Sequence, residues 1–371
     1  MRIGVPKERK TLEKRIALTP DGASELVKHG HQILVETKAG EGSHFSDQAY
    51  KEAGATIVPT LSDVWTKSEL IVKVKEPHEE EYKFFRPDVA IFDYLHLASM
   101  PELTKEMVKG KITGIAYELV QTPDRRLPLL EPMSEVAGKL SVLNGSYFLL
   151  SQNGGRGVLL GGTVGVRPGN VVIVGAGIAG TCACEVARGM GASVTVLDVS
   201  YQKLDSIRRT FGRGVRTIFS TRASLAREIE KADLLIGAVL VPGAAAPKIV
   251  DREMIRSMNK GAVFVDISID QGGCAETIRP TNLDNPVYIE EEVAHYGVCN
   301  MPAQTPRTST MALTAATLPY VLKIADMGVD KALRTAPEIR NALNTYKGHL
   351  TNQPVSEAVG VEFTPIDEVL G

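Results

Sequence analysis

At 371 residues with 43% hydrophobic side chains, the chain has material for two cores at roughly 100–200 residues per domain. Its 42 basic and 44 acidic residues leave a formal charge of −2 with the signs interspersed, which argues against a nucleic-acid or membrane-surface role. The four cysteines, Cys182, Cys184, Cys274 and Cys299, make neither a CxxC pair nor a zinc spacing. Met1 opens into a strand without a signal-peptide pattern, and no apolar run approaches the length of about 18 residues that a membrane span needs, so a cytoplasmic location is expected.

Strand and helix alternate from the start. "MRIGVP" predicts a strand. Thr19 and Pro20 then supply an N-cap and a first-turn proline for a helix over "DGASELVKHG", which Gly30 closes. "HQILVE", "ATIVP", "LIVKV", "VAIFDYL" and "GIAYELV" are short, continuous apolar runs rich in β-branched residues, the pattern of parallel strands covered on both faces. A long helix is predicted over "SEVAGKLSVLNGSYFLLSQ", with no internal proline. The glycine-rich "NGGRGVLLGGTVGVRPG" keeps an apolar "VLL" that linkers lack, and reads as an ordered loop lying against a ligand or a neighbouring subunit.

A second alternation begins at Val171 with "VVIVGAG", "SVTVLDV", "RTIFS", "DLLIGAVLV" and "AVFVDISI". Cys182 and Cys184 fall on its first helix, where small core residues are expected. From "TSTMALTAATLPYVLKIADMG" the pattern is helical to the end, with no strands of its own. Such a tail must pack on a domain already built, so it is expected to cross back and complete the first one.

Gly175, Gly177 and Gly180 form GxGxxG directly after a strand and before a helix. The first permits a tight turn, the second lets backbone approach a pyrophosphate, and the third seats the helix close to the strand. The helix N-terminus then faces the phosphates. Asp198 ends the next strand about 20 residues on, where a carboxylate grips the adenosine ribose and repels a 2′-phosphate. Dinucleotide binding follows, with NAD preferred over NADP.

Open α/β sheets bind ligands outside the carboxyl ends of their strands. Three apolar strands run there into an ionisable residue: "LIVKV" into Lys75, "VAIFDYL" into His96 and "AVFVDISI" into Asp270. Arg15 precedes the helix capped at Thr19, where its guanidinium fork suits a carboxylate; taken alone it is a surface arginine.

With "EKRIALTP", "VKVKEP", "YLHLA", "LPLLEPMSEVAGKLS", "GGRGVLLGG", "VVIVGAGIAG", "GAVLVPGAAAPK", "DISIDQGGC" and "NMPAQTPRTST", the chain resembles the alanine dehydrogenase family nearly end to end. That family also includes the NAD-binding subunit of proton-translocating transhydrogenase. The resemblance implies two doubly wound, Rossmann-like α/β domains. Residues 1–130 and 305–371 would form a discontinuous substrate domain completed by C-terminal helices, and 131–304 the NAD-binding domain. It implies interconversion of L-alanine with pyruvate and ammonia, and a homo-hexamer. Arg15 and Lys75 would hold the substrate carboxylate and carbonyl oxygen. His96 would be the acid/base group, and Asp270 its partner in handling water and ammonia. Ser134, Asp198, Lys203, Ser220, Val239, Leu240 and Arg279 fall on cofactor-contacting positions, as do the loops Ile267, Ser268, Ile269, Asp270 and Val298, Cys299, Asn300, Met301. Cys299 departs from an otherwise well-matched motif and reads as a small buried side chain. The C-terminal helices contain no His/carboxylate cluster of metal-ligand type, so no metal is expected.

The chemistry fits these residue types. Oxidising an amino acid removes a hydride from Cα and leaves an iminium that water must attack. Imidazole exchanges protons near neutral pH, and a carboxylate balances positive charge on nitrogen. A transhydrogenase subunit needs neither a histidine nor an aspartate in these places, and a non-catalytic NAD-binding protein needs none of the four.

Overall fold

The protein is described by a computed structural model covering residues 1–239 and 246–371. It divides into two compact units, Met1–Met133 together with Ala303–Gly371, and Ser134–Pro302. The first begins with β1 (Arg2–Val5), β2 (Gln32–Glu36), β3 (Thr56–Val58), β4 (Leu70–Lys75), β5 (Ala90–Tyr94) and β6 (Thr113–Ala116). The second holds β7 (Asn170–Val174), β8 (Ser193–Asp198), β9 (Val215–Phe219), β10 (Leu234–Gly237), β11 (Val263–Asp266), β12 (Val287–Glu290) and β13 (Val293–Tyr296). The chain then returns to the first unit with β14 (Leu343–Tyr346) and β15 (His349–Leu350).

The first sheet runs β15-β14-β6-β5-β4-β1-β2-β3, parallel except for β14 and β15. Alternating residues serve two cores. Ile3, Val5, Phe92 and Tyr94 face one, and Ile71, Ile91 and the buried Trp65 lie in the other. The second sheet runs β12-β13-β11-β10-β7-β8-β9, parallel except for β12, with Val171 and Ile173 on one side and Val172 and Val174 on the other. Both sheets are doubly wound. In the first the order reverses between β1 and β4, and in the second between β7 and β10. Such reversals open the crevices where ligands bind.

Helix Pro20–Lys28 starts as its sequence requires. The Thr19 side chain accepts from the Gly22 N–H at 3.2 Å, and Gly30 takes φ 83° just past the end. Helix Pro306–Met327 fixes the segment that precedes helix Pro20–Lys28, for Thr310 Oγ1 accepts from the Ile16 N–H at 3.1 Å. Cys184 is buried in the core of the second unit, while Cys182 on the same helix is half-buried.

The C-terminal tail is not purely helical, contrary to its pattern. β14 pairs antiparallel with β6, and β15 folds back on β14 through Lys347 (φ 48°) and Gly348 (φ 100°). A two-residue turn of this hand demands positive φ at both positions. The tail therefore extends the first sheet as well as covering it.

Candidate functional site

Lys75, His96 and Arg15 gather around one residue in the first unit, Tyr94. Along β4 and β5, Val72 pairs with Phe92, yet Lys75 pairs with Tyr94, so β4 carries one residue more than its neighbour. Simple alternation would place Lys75 on the Ile71 face with the buried Lys73. The extra residue turns it onto the face of Tyr94, the re-aiming that a bulge performs. The Tyr94 ring stacks on the His96 ring at 5.9 Å with 4° between their planes. Burial raises the Tyr94 hydroxyl above the usual phenol range, and the nearby Arg15 guanidinium opposes that rise. The Tyr94 hydroxyl donates to the Leu129 carbonyl.

His96 sits in left-handed backbone (φ 48°, ψ 34°), a conformation that costs about 1–3 kcal/mol for a non-glycine residue and persists only where the surroundings enforce it. Glu118 does so. Its carboxylate accepts from the His96 N–H at 2.7 Å and the Leu95 N–H at 3.3 Å, and lies 3.8 Å from His96 Nδ1. The imidazole is left half-exposed just past the end of β5.

Arg15 is buried, not a surface arginine. Its Nε and Nη2 meet Glu13 in a paired fork (Nε to Oε1 2.7 Å, Nη2 to Oε2 2.5 Å), and Nη1 lies 3.2 Å from Met133 Sδ. Burial opposes the charge, yet hydrogen bonding to Glu13 holds the guanidinium above its ordinary pKa. Glu13 thus takes the Nε–Nη2 edge of the fork.

In the second unit the glycines divide their work. Gly175 has φ 109°, and a Cβ there would lie 2.3 Å from the Ala238 carbonyl oxygen, so it brings the ends of β7 and β10 together at the reversal point. A Cβ on Gly180 would lie 1.8 Å from the Gly175 carbonyl oxygen, which only glycine permits as helix Ile178–Gly189 leaves the strand. A Cβ on Gly177 would meet nothing within 4 Å. Its bareness serves no internal packing, as expected where backbone must admit a ligand. Gly177 is also the N-cap of that helix and has no side chain to occupy its amides.

Asp198 is nearly buried at the end of β8. One carboxylate oxygen accepts from the Ala176 N–H and the other from the Ser200 N–H, each at 2.7 Å. The Asp198 carbonyl accepts from the Ser220 N–H at 3.0 Å, which sets the end of β9 beside it. Each carboxylate oxygen has a second lone pair, so ribose hydroxyls remain acceptable partners. Lys203 is exposed on helix Tyr201–Phe211, whose N-cap Ser200 accepts from the Lys203 N–H at 3.4 Å. If the dinucleotide expected from the sequence binds here, Asp198→Ala should weaken NAD binding by roughly 1.5–3 kcal/mol, about ten- to more than a hundredfold, and narrow any preference over NADP. Calorimetric titration of both nucleotides checks this, and an unchanged preference would move the selectivity to another residue.

The remaining positions fall into linked loops. The Val239 N–H donates to Ser268 Oγ at 3.0 Å, and the Ser268 N–H to the buried Asp266 at 2.8 Å, which shapes the turn Ile267–Gln271. Asp270 is exposed, and its Oδ1 accepts from the Asn300 N–H at 3.1 Å, where Asn300 takes φ 59°. Residues 267–270 and 298–301 are thereby tied together. Val298 and Met301 are buried and Cys299 is half-buried against the core. Thr281 bridges to Val298, bringing in Arg279, whose guanidinium lies 4.2 Å from the Tyr288 ring centre and whose N–H donates to the Tyr288 hydroxyl at 2.8 Å. Ser134 stands one turn before Gly138 on helix Glu131–Phe148, and a Cβ at Gly138 would lie 2.2 Å from the Ala179 carbonyl oxygen, so that face runs toward the glycine loop. Leu240 lies outside the described residues. Among the described residues no three His, Cys, Asp or Glu side chains form a metal-holding group.

Sequence reading missed Tyr94, Glu8, Glu13 and Glu118. Tyr94 carried a signal, since it precedes His96 by two residues at the end of an apolar strand. The glutamates in "KERKTLEKR" look like any solvated charge run.

Residues 4–137 match the family model for "Alanine dehydrogenase/PNT, N-terminal domain", and residues 141–353 that for "Alanine dehydrogenase/PNT, C-terminal domain". The chain is 50% identical over 371 residues to an alanine dehydrogenase of Staphylococcus haemolyticus, covering 100% of this chain and 99% of the relative. It is 49% identical to alanine dehydrogenase 2 of Staphylococcus aureus (strain USA300), covering 100% of both. A solved L-alanine dehydrogenase superposes with a TM-score of 0.94 at 47% identity, over 97% of this chain and 99% of that one. A transhydrogenase from Sinorhizobium meliloti superposes with a TM-score of 0.81 at 24% identity, over 95% of this chain and 99% of that one, a likeness of fold alone.

Proposed function

The chain belongs to the alanine dehydrogenase/PNT family, and on that premise we propose that it catalyses NAD-dependent oxidative deamination of L-alanine to pyruvate and ammonia, and the reverse reductive amination. The observation that carries the reading is 50% identity over the whole length to an alanine dehydrogenase, against 24% to a transhydrogenase. The gathering of Arg15, Lys75 and His96 about Tyr94 supports it from within the first unit.

We assign residues 1–130 and 305–371 to the substrate domain and 131–304 to the NAD-binding domain, where Gly177 and Asp198 fit a dinucleotide. Bound there, NAD would supply the hydride acceptor for alanine oxidation and, as NADH, the hydride donor for the reverse. Arg15, anchored by Glu13, holds the substrate carboxylate. Lys75 donates to the carbonyl oxygen of pyruvate and fixes the plane of the reacting carbon, the kind of orientation from which much of an enzyme's rate advantage derives. His96 passes protons to and from water and substrate nitrogen, its ring steadied on Tyr94. Asp270 offsets the positive charge of the imine.

Homo-hexamer formation is part of the proposal. The glycine-rich loop turns between the bridged residues Thr163 and Val166 through Val164, which is fully exposed, while Leu143, Tyr147, Leu159 and Val166 are also exposed. Part of this apolar surface lines a hollow of about 460 Å³ beside helix Glu131–Phe148. Such a surface suits burial against a second copy. Among the described residues no helix is long and apolar enough to cross a membrane. We place the enzyme in the cytoplasm, where its water-soluble substrates are found.

The test is absorbance of NADH mixed with pyruvate, with and without ammonium. NADH should be lost only with all three present. Comparable oxidation without ammonium would make the protein a hydroxy-acid dehydrogenase instead.

A further inference from the structure

The extra residue in β4 that turns Lys75 toward Tyr94 leaves backbone amides out of register with β5. Buried amides need partners, and here one side chain supplies them. Glu8, buried in the segment after β1, accepts from the Val74 N–H at 2.6 Å through one carboxylate oxygen and from the Lys75 N–H at 3.4 Å through the other. The two residues leave the strands between which the sheet order reverses. We propose that Glu8 is a positioning residue for the 2-oxo acid site, holding the irregular end of β4 so that Lys75 stays on the face of Tyr94 and His96. The inference rests on the reading that Lys75 binds substrate.

The surroundings of Glu8 make this clamp sensitive to pH. Lys73 Nζ from β4 lies 3.6 Å from Glu8 and also meets Glu81, from the turn Glu79–Phe84, at 3.0 and 3.1 Å. Glu13 and Arg15 from the following segment, Asp93 from β5 and Tyr117 after β6 are further charged and titratable groups around it. Burial raises Glu8 and Lys73 pulls it back, leaving it at about 7. Above that pH both oxygens accept as an anion. Below it one carries a proton, and the longer bond to the Lys75 N–H weakens first.

The experiment uses the full chain carrying His96→Ala, so that imidazole titration drops out, saturated with NADH and titrated with oxamate, an unreactive isostere of pyruvate. Oxamate should bind roughly five- to tenfold more tightly at about pH 8 than at about pH 6, the scale of one charge-assisted hydrogen bond. Glu8→Gln should remove this step and hold affinity near its low-pH value, with NADH affinity unchanged. A flat profile in the parent, which requires no variant at position 8 to fold, overturns the proposal. So does a step that survives Glu8→Gln. Lys75→Ala separates the two readings. If it weakens oxamate binding while Glu8→Gln leaves binding and its pH step intact, only the role of Glu8 fails. If Lys75→Ala leaves oxamate affinity unchanged, the substrate reading beneath it fails too.

Discussion

Replacing His96 with alanine should cut turnover with pyruvate and ammonium by about 10²–10⁴, the usual cost of a lost general acid/base. NADH affinity should be unchanged. The backbone adds a condition, because His96 holds φ 48°, where alanine is strained and asparagine is tolerated. His96→Asn therefore separates chemistry from conformation. It should lose as much turnover as His96→Ala while retaining more thermal stability. If His96→Asn kept most of the activity, proton transfer would belong to another group. Pre-steady-state turnover and a melting curve on both variants decide the matter.

Asp270→Asn should lower turnover by about 10²–10³, the scale observed when a preorganised electrostatic partner is removed. The change is conservative in shape. Asp270 accepts the Asn300 N–H through one oxygen, and an asparagine carbonyl accepts the same bond. The loop pair should survive with its cofactor affinity, so the loss would isolate the negative charge proposed to offset the iminium. Near-normal turnover in this variant would reduce Asp270 to a residue that ties two loops together.

Much of the architecture was legible because the physics is local. Apolar runs of parallel-strand type, a threonine–proline helix start and GxGxxG each dictate their structure within a few residues, and the three glycines occupy different steric roles at Gly175, Gly177 and Gly180. Two hairpins were not legible. β12 and β13 turn through Glu291 and Glu292, and β14 and β15 through Lys347 and Gly348, all at positive φ. The sequence signature of such turns is Asn-Gly or Asp-Gly. Here tertiary pairing with β11 and β6 enforces the conformation, and neither dipeptide advertises it.

The site divides along the same line. Lys75, His96 and Asp198 end apolar strands and are conspicuous in sequence. Their partners are not, since Glu8 reaches 66 and 67 residues along the chain to Val74 and Lys75. The irregularity in β4 changes which face Lys75 occupies, and a strand pattern read by alternation puts it on the wrong one. Arg15 taken alone reads as a surface arginine for a related reason, because its burial depends on Glu13 neutralising it.

A chain that joins ammonia to a 2-oxo acid at the expense of a nicotinamide cofactor must leave the nitrogen in its product. The measurement that tests this most directly follows the nitrogen in the NADH, pyruvate and ammonium mixture, using ¹⁵N-ammonium and chiral separation of the products by mass spectrometry. L-alanine should carry the label, form mole for mole with the NADH consumed, and be absent when ammonium is omitted. Lactate in place of alanine, or NADH consumed with no labelled amino acid, would contradict it.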